Sequence, residues 1–199
     1  MVFDIKHQQN YSRIELLART FFGPLYIGLP HGFIIFFLSI GVFFCHFALF
    51  FAILFTGKYP RSIWNYLINF QKYRIRVSLT MMHLCDGYPE FGLSGKHPNI
   101  EFNVAFKKET SRLRMLLRWF LGWIVLIPHL IILFLRSIII FFIMIIAWVT
   151  VLLTGKYPKG MFNFIVGTWR LNQRIYCWHF LFTDNYPAFT GNILETENV

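Results

Sequence analysis

A pentapeptide that occurs twice constrains this chain more than any other feature. The residues Thr56, Gly57, Lys58, Tyr59 and Pro60 recur unchanged as Thr154, Gly155, Lys156, Tyr157 and Pro158, an offset of 98 positions (154 − 56). The same offset aligns the Pro-His pair at 30–31 with the pair at 128–129, and the Asp-x-Tyr-Pro sequence at 86–89 with that at 184–187. Self-similarity over such a period indicates two tandem copies of one structural unit.

Upstream of the Pro-His pairs the offset becomes 99, and it aligns Phe3 with Phe102 and Arg19 with Arg118. One extra residue in the first copy, near positions 24–29, accounts for the change. The repeat predicts a membrane repeat at 1–92, a linker at 93–100, a second repeat at 101–191 and a polar tail at 192–199.

The composition is that of a membrane protein. Hydrophobic residues make up 56% of the chain and charged residues only 14%, too few to cover a water-exposed surface. The net charge is +10, but the basic residues flank apolar runs and form no continuous basic domain. We therefore expect anionic lipid headgroups as the partner, and no nucleic acid.

Both copies combine an Arg-rich lead, the Pro-His pair, Thr-Gly-Lys-Tyr-Pro and Asp-x-Tyr-Pro-x-Phe. In this the chain resembles a bacterial membrane domain of unknown function, the type numbered 4389. It departs from that pattern at Ala188, where a second Pro is usual, and at Cys85 and Glu90 in the first copy. The resemblance implies a fold and a location in the bacterial inner membrane, and it implies no activity.

Two apolar runs, 21–55 and 119–153, have 35 positions each, which is too long for one span of the hydrocarbon core. Basic residues flank both ends of each run, and the positive-inside rule favours the cytoplasm for both flanks. The nearly identical motifs of the two copies are expected to share one environment, which requires an even number of crossings per copy. Each run is therefore predicted to be a transmembrane helical hairpin, with turns near 38–41 and at 136–137 and both termini cytoplasmic. The alternatives are a shallow or re-entrant hairpin, and one span per copy with an interfacial segment before Pro-His.

After each Thr-Gly-Lys-Tyr-Pro turn, polar residues recur every three or four positions, which predicts an amphipathic helix along the cytoplasmic headgroups. The residues expected to contact headgroups are Arg61, Lys72, Lys159 and Arg170. Alternating residues before each apolar run predict two short β-strands that pair with each other. The fold class is thus an all-α integral membrane protein with two pseudo-symmetric repeats, each a hairpin plus an interfacial helix and a short strand.

The repeated motifs are interpreted as structural. Helix breaks are expected at Pro30, His31, Pro128 and His129, where the imidazoles or neighbouring groups satisfy the disturbed backbone, although a proton relay is the alternative. Turns or ion pairs are expected among Asp86, Tyr88, Pro89, Asp184, Tyr186, Pro187, Arg76 and Arg174. In Thr-Gly-Lys-Tyr-Pro, Gly would end a helix, Lys would face headgroups, Tyr would join the aromatic belt and Pro would begin the next helix.

No paired catalytic groups and no metal-ligand spacing are present in the sequence, so we expect no catalytic, cofactor-binding or metal residues and no enzymatic activity. The leading hypothesis is a membrane subunit or scaffold that packs with other membrane proteins. A lipid-handling or membrane-shaping protein is the alternative, and a small transporter is a weaker one.

Overall fold

The computed structural model describes residues 1–194, and the protein is mostly helical. Its elements, in chain order, are β1 (Val2–Ile5), α1 (Arg13–Gly23), a π-helical turn (Pro24–Gly28), α2 (Leu29–Thr56), α3 (Arg61–Met81), β2 (Ile100–Asn103), α4 (Arg112–Thr154) and α5 (Lys159–His179). The first long helix is the continuous segment Arg13–Thr56, which includes the π-helical turn, and the second long helix is α4.

The π-helical turn lies where the repeat offset requires one extra residue. The N–H of Leu29 bonds to the carbonyl of Pro24, five residues earlier, so this turn holds one residue more than an α-helical turn. The insertion thereby leaves the same side chains facing the core in both repeats. Gly23 and His31 are buried in the first long helix, and their counterparts Gly122 and His129 are buried in the second.

The predicted hairpins and helix breaks are not present. Positions 38–41 lie inside α2 and positions 136–137 lie inside α4, and the helices continue through Pro30 and Pro128. Ser39 and Ser137, in the predicted turns, donate hydrogen bonds to carbonyls three residues earlier, Phe36 and Phe134, and so stay compatible with a helix. Each repeat therefore has one continuous long helix.

The two long helices run antiparallel. Arg13, at the start of the first, donates a hydrogen bond to the carbonyl of Leu153, at the end of the second (3.0 Å). In the equivalent contact, Arg112 donates to the carbonyl of Phe55 (3.0 Å). The two Thr-Gly-Lys-Tyr-Pro motifs therefore lie at opposite ends of the helix pair.

The shorter helices α3 and α5 pack along the middle of the long ones. The Tyr66 hydroxyl in α3 donates to the carbonyl of Leu38 (2.9 Å), and in the second repeat Arg136 donates through Nε to Thr168 of α5 (2.8 Å). Gln71 then links α3 to Gln173 of α5 (2.8 Å). The main hydrophobic core lies between these helices and the ends of the long helices.

The predicted strand pair is confirmed. β1 and β2 are antiparallel, and Phe3 lies opposite Phe102, the residue with which the offset of 99 aligns it. Arg170 in α5 donates to the carbonyl of Phe3 (3.0 Å), which fixes the sheet on the polar side of α5. Residues 195–199 of the predicted polar tail lie outside the described residues.

The lead segments of the two repeats are exchanged. Tyr11, before α1, donates its backbone N–H to the carbonyl of Gly155 (2.8 Å), and Thr110, before α4, donates to Gly57 (3.0 Å). Gly57 and Gly155 end the long helices with φ angles of 69° and 72°, a left-handed conformation that favours glycine. Each long helix thus ends against the other repeat.

Candidate membrane-facing surface

Each long helix packs against the protein along one narrow stripe. The buried residues of the two stripes are Leu16, Arg19, Gly23, Ile27, His31, Leu49 and Ile53, and Met115, Arg118, Gly122, Leu126, His129, Ala147 and Val151. Large apolar side chains cover most of the remaining surface of both helices, and exposed arginines lie in their first turns. Phe43 (67% exposed), Phe55 (72%) and Phe120 (72%) are examples. Both helices are long and apolar enough to cross a membrane.

Charged residues lie beside the middle of the long helices, not only at their ends. In α3, Lys72 precedes Tyr73, whose hydroxyl bonds to His31 near the middle of the first long helix (2.7 Å). In α5, Arg170 pairs with Asp4 of β1 (3.0 Å). Arg170 lies on α5, six positions before Tyr176, and α5 packs along the middle of α4. The molecule is therefore amphipathic from side to side.

The two Pro-His pairs connect the long helices to the Asp-x-Tyr-Pro-x-Phe segments. The His31 ring stacks on Phe91, with centroids 4.2 Å apart, and the His129 ring stacks on Phe189 (4.1 Å). His129 also donates through Nε2 to the carbonyl of Pro187 (2.8 Å). Both imidazoles are fully buried. Their burial fits a role in packing the returning segments, 86–91 and 184–189, against the long helices.

A tyrosine in each returning segment bonds to the long helix just before proline. The Tyr88 hydroxyl donates to the carbonyl of Tyr26 (3.0 Å), four residues before Pro30, which has no N–H to donate to that carbonyl. The Tyr186 hydroxyl donates to the carbonyl of Val125 (3.0 Å), three residues before Pro128. Tyr88 is therefore a neighbouring group of the kind expected to satisfy the backbone that a proline disturbs, whereas Tyr186 bonds to the carbonyl one position after the one that Pro128 leaves free.

The model of one protein family matches the chain twice, at residues 19–92 and 112–191. The family is described as "Domain of unknown function (DUF4389)". The chain belongs to this family. No curated protein matches it, and no solved structure does. Each DUF4389 unit thus contains a long helix, the helix after the turn and the returning segment.

The acids that recur in the two DUF4389 units do not pair with the arginines that the sequence suggested. Asp86 faces Arg19 (3.7 Å) and accepts a hydrogen bond from the N–H of Ser12 (2.8 Å), whereas Asp184 contacts Lys107 and Arg114. The predicted pairs with Arg76 and Arg174 are therefore wrong. The acids instead join each returning segment to a lead segment.

Different surroundings shift the pKa values of these two carboxyl groups in opposite directions. Burial raises the pKa of Asp86, and nearby Glu15 adds to this effect, although the Ser12 N–H and Arg19 oppose it. Burial also acts to raise the pKa of Asp184, but the Lys107 and Arg114 contacts outweigh it and lower that pKa. Asp184 is thus the more strongly stabilised carboxylate.

Arginines on the buried sides of the DUF4389 units bind backbone carbonyls. Arg76 donates to the carbonyls of Gly92 (2.7 Å) and Gly95, and Arg174 donates to the carbonyl of Thr190 (2.6 Å). Arg170 is also buried, so the prediction that it contacts headgroups is wrong. The other three residues predicted to contact headgroups are exposed (Arg61, Lys159) or half-buried (Lys72).

The Thr-Gly-Lys-Tyr-Pro motif ends one helix and begins the next, as predicted, because Pro60 and Pro158 cap α3 and α5. Its tyrosines do not join an aromatic belt. Tyr59 and Tyr157 are 2% and 3% exposed, and they pack in the core. Lys58 and Lys156 are exposed at opposite ends of the molecule.

Within residues 1–194, no group of three His, Cys, Asp or Glu side chains could hold a metal ion.

Proposed function

We propose that this protein is a monotopic membrane protein that inserts its two long helices into one leaflet, parallel to the bilayer plane, and thereby shapes that leaflet. The observation that carries the proposal is the position of charged residues beside the middle of the long helices. Asp4 of β1, Lys72 of α3 and Glu101 of β2 belong to the elements that lie beside the middle of the long helices. In a perpendicular orientation these charges would lie at the depth of the hydrocarbon core.

The dimensions of the helices support the same orientation. The first long helix has 44 residues and the second has 43. A helix of this size is about 65 Å long, whereas the hydrocarbon core is about 30 Å thick. Each charged side chain at the centre of the bilayer costs about 2.5–3.5 kcal/mol on an insertion scale. Lying in the plane exposes the apolar surfaces to acyl chains and leaves the sheet and its charges in water.

Labelling from one side of the membrane tests the orientation. In a variant with Cys45, Cys85 and Cys177 replaced by alanine, Lys58→Cys and Lys156→Cys each introduce one exposed thiol. An impermeant maleimide should reach both sites from the same side of sealed vesicles. Because the two sites lie at opposite ends of antiparallel helices, labelling from opposite sides would show a spanning orientation and refute the proposal.

A second measurement tests the depth and the effect on the membrane. Probes at the exposed positions Leu29, Phe36 and Phe47, which share one face of the first long helix, should be quenched by brominated lipids to the same degree, since an in-plane helix keeps that face at one depth. The purified protein alone should also deform liposomes. The double variant Phe43→Gln/Phe141→Gln alters equivalent exposed positions of the two repeats and should deform liposomes less than wild type does.

A subunit that packs with other membrane proteins is the second candidate function. It is supported by Gly32, which is exposed, with open space where a Cβ would lie, and which follows Gly28 by four residues. Small residues at this spacing allow close helix packing in membranes. Purification in mild detergent would favour this candidate if a stoichiometric partner is retained by wild type and lost by Gly32→Leu.

A further inference from the structure

A cavity of about 690 Å³ opens between α5, β1 and the segment before the C-terminus. Its lining includes Asp4, His7, Arg136, Asn163, Gly167 and Arg170. Arg136 is the only formally charged residue within the apolar runs 21–55 and 119–153. The cavity therefore joins the apolar layer of long helices to the polar layer of the sheet.

Arg136 is held at this cavity by neutral groups. Its Nε donates to Thr168 (2.8 Å), its Nη2 donates to the carbonyl of Phe164 (3.2 Å), and the guanidinium lies 4.3 Å from the centre of the Phe164 ring. Among residues 1–194 no carboxylate forms an ion pair with it, and its Nη1 has no hydrogen-bond acceptor. A cation at the edge of an apolar layer is costly unless an anion compensates it.

The two repeats differ at the residues that form this site. The offset of 98 aligns Arg136 with Leu38, Phe164 with Tyr66 and Gly167 with Asn69. In the first repeat, the Tyr66 hydroxyl donates to the carbonyl of Leu38 (2.9 Å). The Tyr66 side chain therefore occupies the place that is equivalent to the Arg136 site of the second repeat.

Glycine at position 167 keeps the cavity open. A Cβ added there would lie 3.2 Å from the carbonyl oxygen of Gly191 and 3.4 Å from Nη2 of Arg136. The second repeat therefore has a cation where the first has Leu38, and it lacks a side chain at the position equivalent to Asn69.

We propose that this cavity binds the phosphate group of an anionic phospholipid, with Arg136 as the residue that contacts the phosphate. Arginine binds phosphate through parallel, charge-assisted hydrogen bonds. Exposed apolar residues next to Arg136, such as Leu135 and Ile139, provide a surface for the acyl chains. Because Arg170 pairs with Asp4, the charges of the described lining residues leave the positive charge of Arg136 for the ligand. This inference rests on the in-plane orientation proposed above.

Binding of soluble short-chain lipids tests the proposal. The purified full-length protein is titrated, in a non-ionic detergent, with dihexanoyl phosphatidylglycerol, with dihexanoyl phosphatidylcholine and with inorganic phosphate, and binding is followed by the shift in Tm. Phosphatidylglycerol should raise the Tm of wild type saturably. Arg136→Leu, which introduces the residue of the first repeat, should weaken that binding at least about tenfold, as expected for the loss of a charged hydrogen-bond donor.

Two further variants serve as controls. Arg136→Lys should retain part of the binding, and Gly167→Asn, which keeps the cation but narrows the cavity, should reduce it. If inorganic phosphate alone gives the Arg136-dependent shift, the phosphate chemistry is supported with a soluble ligand as its source. Equal binding by wild type and Arg136→Leu would overturn the proposal. The labelling of Lys58→Cys and Lys156→Cys is independent of Arg136, so failure of the orientation is distinguished from failure of the site.

Discussion

Replacing Arg118 by methionine is expected to destabilise the protein strongly. Arg118 is 5% exposed, and its Nη1 donates to the carbonyls of Trp178 (2.8 Å) and Thr183 (2.7 Å). Its Nη2 donates to the carbonyl of Asp184 (3.2 Å). One side chain therefore holds the end of α5 and the start of the returning segment against α4.

The magnitude follows from the groups that would lose their donor. Each hydrogen bond from a charged group contributes about 1.5–3 kcal/mol. Methionine retains the packing of the aliphatic stem and removes the cost of burying the guanidinium, so the net loss is about 3–5 kcal/mol, as for a broken buried ion pair. For a protein of this size each kcal/mol lowers the Tm by about 2–4 °C, which gives a decrease of about 6–20 °C.

Thermal unfolding of the detergent-solubilised protein measures this decrease. Arg13→Met is the matched control, because Arg13 is exposed and bonds to the single carbonyl of Leu153. The control should cost less than about 1 kcal/mol. An Arg118→Met protein that is no less stable than Arg13→Met would refute the reasoning that a buried arginine joins these segments.

Three further predictions concern single positions. Burial lowers the pKa of His83 to about 4. The unfolded state, in which this pKa is about 6.5, binds the proton first as the pH falls. Wild type should therefore lose stability between about pH 6.5 and about pH 4, and His83→Asn should lose less. Equal losses of stability in the two proteins would contradict this. Gly155→Ala should cost about 1–2 kcal/mol, because φ is 72°, while Gly160→Ala, in open space, should leave the Tm nearly unchanged. His129→Ala should free the segment around Pro187, to which it bonds, and so speed chymotrypsin cleavage there; unchanged cleavage would argue against this role.

The sequence was sufficient for the elements that depend on the repeat. The offset of 99 predicts the pairing of Phe3 with Phe102, and the change to 98 predicts an extra residue where the π-helical turn lies. The spacing of polar residues after each turn predicts α3 and α5. These features are local or follow directly from the alignment of one repeat with the other.

The hairpin prediction failed because two premises did not hold. The first was that an apolar run of 35 positions is too long for one continuous helix, whereas each run lies within one. The second was that identical motifs share the same surroundings only if each copy crosses the membrane an even number of times. Antiparallel long helices give both Thr-Gly-Lys-Tyr-Pro motifs the same surroundings at opposite ends of the molecule, since each accepts a bond from the other repeat.

Contacts between distant residues could not be read from the sequence either. Asp184 pairs with Lys107 of its own repeat's lead segment and with Arg114 in the first turn of α4, but nothing in the spacing distinguishes them from Arg174. Arg19 and Arg118 did provide a signal, because both recur at equivalent positions beside apolar runs and fall on the buried stripes. A charged residue on an otherwise apolar stripe indicates that backbone acceptors lie opposite it.

The exchange of lead segments has a consequence for the origin of the chain. Phe3 meets its own counterpart Phe102, and each lead segment bonds to the end of the other long helix through Tyr11 and Thr110. Such self-complementary contacts are those of an isologous dimer, in which one patch on each subunit meets the same patch on its partner. A single unit lacks the surface that completes its own contacts. The duplicated chain therefore has the arrangement of a pseudo-symmetric dimer whose two units are covalently joined, and one unit produced alone is expected to associate with a second copy of itself.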